Sequence, residues 1–484
     1  MKRILSSPIT ALGVALCLRL FFVIWYRGTA GDSEIYEQIA ANWLHHGKYA
    51  MDASTGGMLV VDLRMPGYPA FLAMVYAITR RSGEGARTFV MLAQTVVDLL
   101  SCLAIGGLAA LLAVLGGVRA QAKQAFTAGL WLAALCPFTA NYVAVPLTET
   151  WAIFLHTLLF GVLVLVVTLG SDQMLGLQGA ENASRSYWAL VALAGFLGGA
   201  GTLFRPETPL LLFAALLLLA WWMLPRRQAT RWIGTAALMG AMCCVPLVPW
   251  TIRNAITFHE FQPLAPKDAT LPGEMDPKGF MAWERTWLYR FRDVYLVPWK
   301  LNEEAINLDD IPANAFDTPE ERERVAAVLE QYNDELTWTP EEDEAFRQLA
   351  AERTARHPLR TYVWIPLRRA VRIWFTPRIE LMQVSGHVFP LAQAWDEDRQ
   401  DQCITASFFL LNIVYLLLAA AGTWLLSRHR GTHPALWFLT SYLVLRTAFL
   451  TTLETPEPRY VLVCFPALLA LGAMVFLRKP REAA

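Results

Sequence analysis

Apolar residues in this chain gather into long runs separated by short polar breaks. The first extends from Ile9 to Tyr26, and nine more follow at 88–116, 124–144, 147–169, 187–204, 207–224, 232–252, 404–426, 434–451 and 459–477. A helix needs about 20 apolar residues to cross the hydrocarbon layer of a bilayer. The pattern therefore predicts an all-α polytopic membrane protein with about ten transmembrane helices. No small-residue cleavage site closes the first run, so it reads as an uncleaved first span. The run from Pro66 to Thr79 has 14 residues. It is short for a span and reads as an interfacial or re-entrant helix.

Basic residues near the span ends set the orientation. With the N-terminus in the cytoplasm, the cytoplasmic ends carry Lys2, Arg3, Arg119, Lys123, Arg185, Arg226, Arg227, Arg231, Arg428, Arg430, Arg478, Lys479 and Arg481. Against them stand Asp172, Glu181 and Glu482. The opposite orientation would put this basic excess outside.

Two polar segments then face outward, 27–87 and 255–400. The second holds 26 of the 41 acids and 17 of the 41 bases, a net charge of −9. It carries helix signals. Thr318-Pro319-Glu320-Glu321 and Thr339-Pro340-Glu341-Glu342 each offer a capping threonine, a proline at the first helical position and acids in the first turn. Helices are expected near 319–337 and 340–356. From Leu359 to Phe375, aromatics alternate with Arg360, Arg368, Arg369 and Arg372, the pattern of a helix lying on lipid headgroups. The chain thus divides into 1–254, an N-terminal transmembrane module with the first outer loop, 255–400, a helical cap, and 401–484, the C-terminal spans.

Composition narrows the class. Hydrophobic residues make up 55% and charged residues 17%, with 41 bases cancelling 41 acids. That excludes a disordered chain, a collagen and a nucleic-acid binder relying on overall positive charge. The seven cysteines show neither a CxxC nor a Cys/His ligand spacing. They read as small buried hydrophobes, with no metal site among them.

The chemistry-bearing residues sit at the outward tips. Gly31-Asp32-Ser33-Glu34-Ile35-Tyr36-Glu37 follows the first span. Asp32 and Glu34 either converge on one cleft, where a carboxylate can act as general base, or Asp32 caps a helix with Glu34 and Glu37 on its solvated face. Arg64-Met65-Pro66-Gly67-Tyr68-Pro69 makes a tight turn that puts Arg64 at phosphate level. Glu149, Arg205-Pro206-Glu207, Pro249-Trp250 with Arg253-Asn254, and Glu454, Glu457, Arg459 and Tyr460 occupy further tips on that face. Together they favour a shared polar site between helices. Asp98 and His156 lie inside spans, where an ionisable group is a functional candidate by default. Asp98 paired with His156 or with Arg446 is the structural reading of the same residues. His357 and His387 read as ordinary cap residues.

The ordered set of Asp32 with Tyr36, the Arg64 turn, Leu147-Thr148-Glu149, Arg205-Pro206-Glu207, Pro249-Trp250 with Arg253-Asn254, and Glu457-Pro458-Arg459-Tyr460 resembles the GT-C membrane glycosyltransferases. The likeness is in particular to bacterial relatives of protein O-mannosyltransferases and to the lipid A aminoarabinose transferase. It covers about residues 10–477, with 255–400 matching loosely. The resemblance implies a sugar donor carried on a polyprenyl phosphate and an envelope acceptor. It places the acid of the first outer loop at Asp32 and a second acid at Glu149. It gives phosphate-binding bases at Arg205 and Arg459, and positions lining the same cavity at Tyr36 and Arg64. Tyr460 joins the cavity lining. Many relatives have adjacent acids where this chain reads Asp-Ser-Glu, which leaves Glu34 open. The implied location is a bacterial inner membrane with a periplasmic active site, and dependence on a divalent cation is left open. A transporter or flippase using Asp98 and His156 as a proton relay is the alternative from another class.

Overall fold

A computed structural model describes residues 7–53, 56–174, 180–266, 275–382, 384, 388, 395, 398–455 and 457–477. Lys2, Arg3, His387, Arg478, Lys479, Arg481 and Glu482 lie outside them. The chain divides into two compact units.

The first unit comprises Met1–Lys267, Pro377–Leu443 and Leu462–Ala484. It opens with α1 (Pro8–Trp25), capped by Ser7, whose side chain accepts from the Thr10 amide. Then come α2 (Gly31–His46), a small antiparallel hairpin of β1 (Ala50–Asp52) and β2 (Met58–Val60), and α3 (Gly67–Thr79). The long helices follow: α4 (Arg87–Leu115), α5 (Ala122–Ala134) with the short α6 (Pro137–Ala140), α7 (Glu149–Met174), α8 (Ala180–Thr202), α9 (Pro209–Met223), α10 (Ala229–Cys244) and α11 (Val248–Phe258).

The second unit comprises Asp268–Thr376 and Val444–Val461. It holds α12 (Lys278–Arg285), α13 (Phe291–Leu296), α14 (Pro319–Glu335), α15 (Pro340–Arg356) and α16 (Ile365–Trp374). The chain closes with α17 (Arg399–Leu426), α18 (His433–Thr451) and α19 (Phe465–Gly472).

All ten runs expected from the sequence fall on helices. Among the described residues, seven helical stretches are long and apolar enough to cross a membrane, and the α5–α6 pair, bent by 58°, makes an eighth. The runs at 187–204 and 434–451 correspond to α8 and α18. The protein is an all-α polytopic membrane protein, with the β1–β2 hairpin as a detail the apolar pattern does not predict.

The bend between α5 and α6 has a visible cause. Pro137 has no amide hydrogen, so it cannot donate to the Ala133 carbonyl one turn back. Arg19 of α1 supplies donors instead. Its guanidinium donates to the carbonyls of Ala134 (2.6 Å) and Ala133 (3.0 Å), and its Nε lies 2.6 Å from Asp98 Oδ2. Both side chains are almost fully buried. Asp98 is therefore committed to Arg19, which corrects the expected pairing with His156 or Arg446. The ring of His156 bonds instead to the Ala152 carbonyl of its own helix, at 2.8 Å.

The second unit has an aromatic core. Phe280, Trp283, Trp287, Tyr332, Trp338 and Phe346 pack together. Thr318 and Thr339 cap α14 and α15 as their sequences predict. Buried Asp343 of α15 accepts from the amides of Gly279 (2.7 Å) and Phe280 (3.1 Å), which ties α12 to α15. Buried Arg353 bridges Thr286, Glu321 and the Asn314 carbonyl. Glu284 is also buried. Burial pushes its carboxyl up to about 8, against the opposing charges of Arg369 and Arg285.

Two outcomes follow from these buried charges. Arg19→Ala leaves Asp98 and two carbonyls without their donor and should cost about 3–5 kcal/mol in unfolding. The Arg19→Met/Asp98→Leu pair should cost less than the single change, measured by thermal unfolding in detergent. Glu284 stays protonated in the fold while an unfolded chain ionises. Its contribution to stability is thus full below about pH 4.5 and lost as pH rises through about 8. Glu284→Gln should raise the melting temperature of the second unit at pH 8 by about 2–4 °C and flatten its decline between pH 5 and pH 8.

Candidate functional site

Ala30 is the N-cap of α2, and its amide donates to Ser33 Oγ at 3.1 Å. Asp32 therefore stands in the first helical turn and is not the cap. Its Oδ1 accepts from Arg64 Nη2 at 2.7 Å, and the two side chains keep 27% and 21% of their surface exposed. Arg64 is itself fixed. Its Nη1 donates to the Leu63 carbonyl at 3.1 Å, and its own carbonyl accepts from Tyr49 Oη at 2.9 Å. The pair is thus positioned but still open to solvent.

Tyr36 lies one turn along α2 from Asp32, buried, with its ring edge-on to Tyr68 at 5.1 Å. Its hydroxyl is pushed up to about 12, first by burial and then by Asp32. Arg64, Arg205 and Glu149 act on the same hydroxyl. Residues 32, 36, 64, 149 and 205 thus share one electrostatic neighbourhood although they come from four separate stretches of chain.

Glu149 begins α7 and is buried, and Arg205 Nη2 donates to its Oε1. Arg205 Nη1 is also 4.0 Å from Glu207 Oε1. The tight turn between α8 and α9 holds Arg205 in place, with its amide bonded to the Gly201 carbonyl at 2.9 Å and its carbonyl accepting from the Thr208 hydroxyl at 2.7 Å. Gly67 locks this turn against α3. Its amide donates to the Leu203 carbonyl at 2.8 Å, and a Cβ there would meet that oxygen at 2.6 Å, so only glycine fits.

Other residues fall elsewhere. Glu34 lies on the exposed face of α2. Glu37, read as solvated, is buried and makes a two-pronged pair with Arg87, both contacts at 2.8 Å. Arg253 donates to the Tyr49 carbonyl at 3.0 Å and stacks on Tyr49 and Trp250, each centroid at 5.1 Å. It thereby supports the tyrosine that holds Arg64. Arg459 and Tyr460 belong to the second unit. Arg459 Nε lies 2.5 Å from Glu457 Oε2, and the Tyr460 hydroxyl donates to Glu457 Oε1. Among the described residues, no group of three or more His, Cys, Asp or Glu could hold a metal ion.

Gln94 escapes sequence reading because it is one polar residue in an apolar run. It is fully buried in α4 and accepts from Tyr68 Oη at 2.6 Å. Its amide nitrogen donates to the carbonyls of Val143 (3.1 Å) and Val145 (3.0 Å), in the turn leading to Glu149.

The sequence matches no family model and no curated protein. Among solved structures, it is similar to the archaeal oligosaccharyltransferase AglB from Archaeoglobus fulgidus in complex with an inhibitory peptide and a dolichol-phosphate. The TM-score is 0.48 and the identity 13%, over 96% of this chain and 50% of that one. It is also similar to ArnT from Cupriavidus metallidurans bound to undecaprenyl phosphate, with a TM-score of 0.40 and 13% identity over 96% of this chain and 77% of that one. The chain spans half the length of the oligosaccharyltransferase.

Gln94→Leu would leave the Tyr68 hydroxyl and the 143–145 carbonyls without their partner. It should lower stability by about 2–4 kcal/mol, read as a fall in melting temperature of the purified protein.

Proposed function

We propose that this protein is a glycosyltransferase that moves a sugar from a polyprenyl-phosphate donor to an envelope acceptor on the periplasmic face of a bacterial inner membrane. The observation that supports it is the partly exposed Asp32–Arg64 pair beside Glu149–Arg205, gathered around the neutral hydroxyl of Tyr36. Four charges cancel in this site as it stands. A lipid phosphate entering it competes with Asp32 for the Arg64 guanidinium, because guanidinium binds phosphate in a two-pronged fashion.

That exchange frees Asp32 as the base. The acceptor hydroxyl gives its proton to Asp32 while its oxygen bonds to the anomeric carbon. The bond from that carbon to the phosphate oxygen breaks, and its electron pair stays on the phosphate. Arg64 and Arg205 stabilise the growing phosphate charge, and a single displacement inverts the anomeric centre. Glu149 holds Arg205 in position throughout. The acceptor is a lipid, glycan or protein of the envelope.

The relay reading of Asp98 has nothing to favour it, since that carboxylate is committed to Arg19 and backbone carbonyls surround the pair. The test uses membranes containing the protein and a labelled polyprenyl-phosphate sugar. Asp32→Asn should lower transfer by about 10²-fold or more with the melting temperature unchanged. Near-normal turnover by that variant, shown to be folded, would remove Asp32 from the chemistry.

A further inference from the structure

Most arginines of the second unit are neutralised where they stand. Arg285, Arg322, Arg324, Arg347, Arg353 and Arg360 each meet a carboxylate. Arg290, Arg292, Arg368 and Arg372 are exposed and make no ion pair among the described residues. Two contacts gather these four. Arg290 and Arg368 both stack on Tyr289, with guanidinium carbons 5.4 and 5.3 Å from its ring centroid. Burial pushes the carboxyl of Asp293 in α13 up, and Arg290, Arg292 and Arg372 pull it down. Four cations thus surround one ring and one buried carboxylate. Like charges held this close repel, so the cluster is easier to keep where further anions offset it.

The arginines border an apolar face. Trp364, Leu367, Val371 and Phe375 follow one another at spacings of three and four along α16 and its flanking residues, and each keeps about half its surface exposed. Arg368 and Arg372 alternate with them. The opposite side of α16 is Ile365, Arg369 and Ile373, all buried. Arg369 donates to the carbonyls of Leu288 (2.7 Å), Thr451 (3.2 Å) and Leu453 (2.9 Å), which pins the helix with its apolar side outward. A cleft of about 530 Å³ lies at the start of this face, lined in part by Leu359, Trp364 and Arg368. Arg356 and Arg360 on its wall are already paired with Glu321 and Asp317, so Arg368 is the cation it offers.

We propose that this face of the second unit seats on anionic phospholipids of the membrane the chain spans, with Arg290, Arg292, Arg368 and Arg372 receiving lipid phosphates and Trp364, Leu367, Val371 and Phe375 entering the acyl boundary. The charge is complementary, and a guanidinium grips a phosphate with two parallel hydrogen bonds. A helix with aromatic and aliphatic residues on one side and arginines beside them gains from both halves of a headgroup layer. Neither half alone is served as well by water. The chain passes between the two units at four places, and one of them, 376–377, comes two residues after α16. The helix is therefore tethered to the unit that carries the spans. This inference stands apart from the transferase reading, since it uses none of the residues assigned to transfer.

The experiment reconstitutes the full chain in nanodiscs of phosphatidylcholine alone or mixed with phosphatidylglycerol. It reads hydroxyl-radical labelling of residues 362–375 and, by native mass spectrometry, the lipids retained. Trp364 and Leu367 should be labelled less in the discs containing phosphatidylglycerol, and that lipid should be retained in preference to phosphatidylcholine. Arg290→Gln, Arg368→Gln and Arg372→Gln should each reduce the preference about fivefold with the melting temperature unchanged. Arg324→Gln, which removes an arginine paired with Glu352, should keep it. Labelling of the wild type that ignores phosphatidylglycerol would overturn the proposal. So would arginine variants that retain the full preference, or that lose it only by unfolding. Protection confined to discs holding two copies would overturn it too, because the face would then belong to a second copy of the chain.

Discussion

A charge buried in an apolar bundle has to find an opposite charge or a full set of hydrogen bonds, because the cost of taking it from water otherwise runs to several kcal/mol. The first unit meets this constraint four times. Arg19–Asp98 is a closed arrangement with both side chains inside the packing, and buried Glu37 meets an Arg87 that keeps 26% of its surface exposed. Asp32–Arg64 and Glu149–Arg205 obey the same rule at the helix tips. Asp32 and Arg64 stay partly exposed there.

The supports around the site follow from that need for position. Gly67 brings α3 against the turn that carries Arg205, at a distance no side chain would allow. Tyr49 holds the backbone of Arg64, and Arg253 holds Tyr49. Gln94 joins Tyr68 to the turn before Glu149. Short chain breaks far apart in sequence are thereby fixed around one tyrosine hydroxyl. The second unit is built on different terms, with an aromatic core and buried ion pairs such as Arg353–Glu321.

Much of this was legible in the residues. Run length alone located the helices, because the requirement to span a fixed thickness leaves a signal in any sequence. Thr318-Pro319 and Thr339-Pro340 marked their helices because capping is local chemistry. The turn residues Arg64, Glu149 and Arg205 stood out as charges at the tips of apolar runs. Partners were harder to read. Arg19 sits inside the first run, and its bond to Asp98 joins residues 79 positions apart. Nothing periodic connects them, so the sequence alone points Asp98 towards other neighbours. Glu37 looked like part of a solvated face because helical spacing does not show that Arg87 approaches it. Gln94 hides for a similar reason. A lone amide in an apolar stretch carries no pattern, and its role emerges only from what surrounds it.

The central claim is that Asp32, Arg64, Glu149 and Arg205 act as one anion-receiving site. The most direct measurement is a double-mutant cycle on undecaprenyl phosphate affinity, with Arg64→Ala, Arg205→Ala and the pair. The account predicts that each single change weakens binding about tenfold or more and that the two losses are not additive, because both guanidinium groups hold the same phosphate. Binding as tight as the wild type in the doubly substituted protein, with the fold intact, would contradict it.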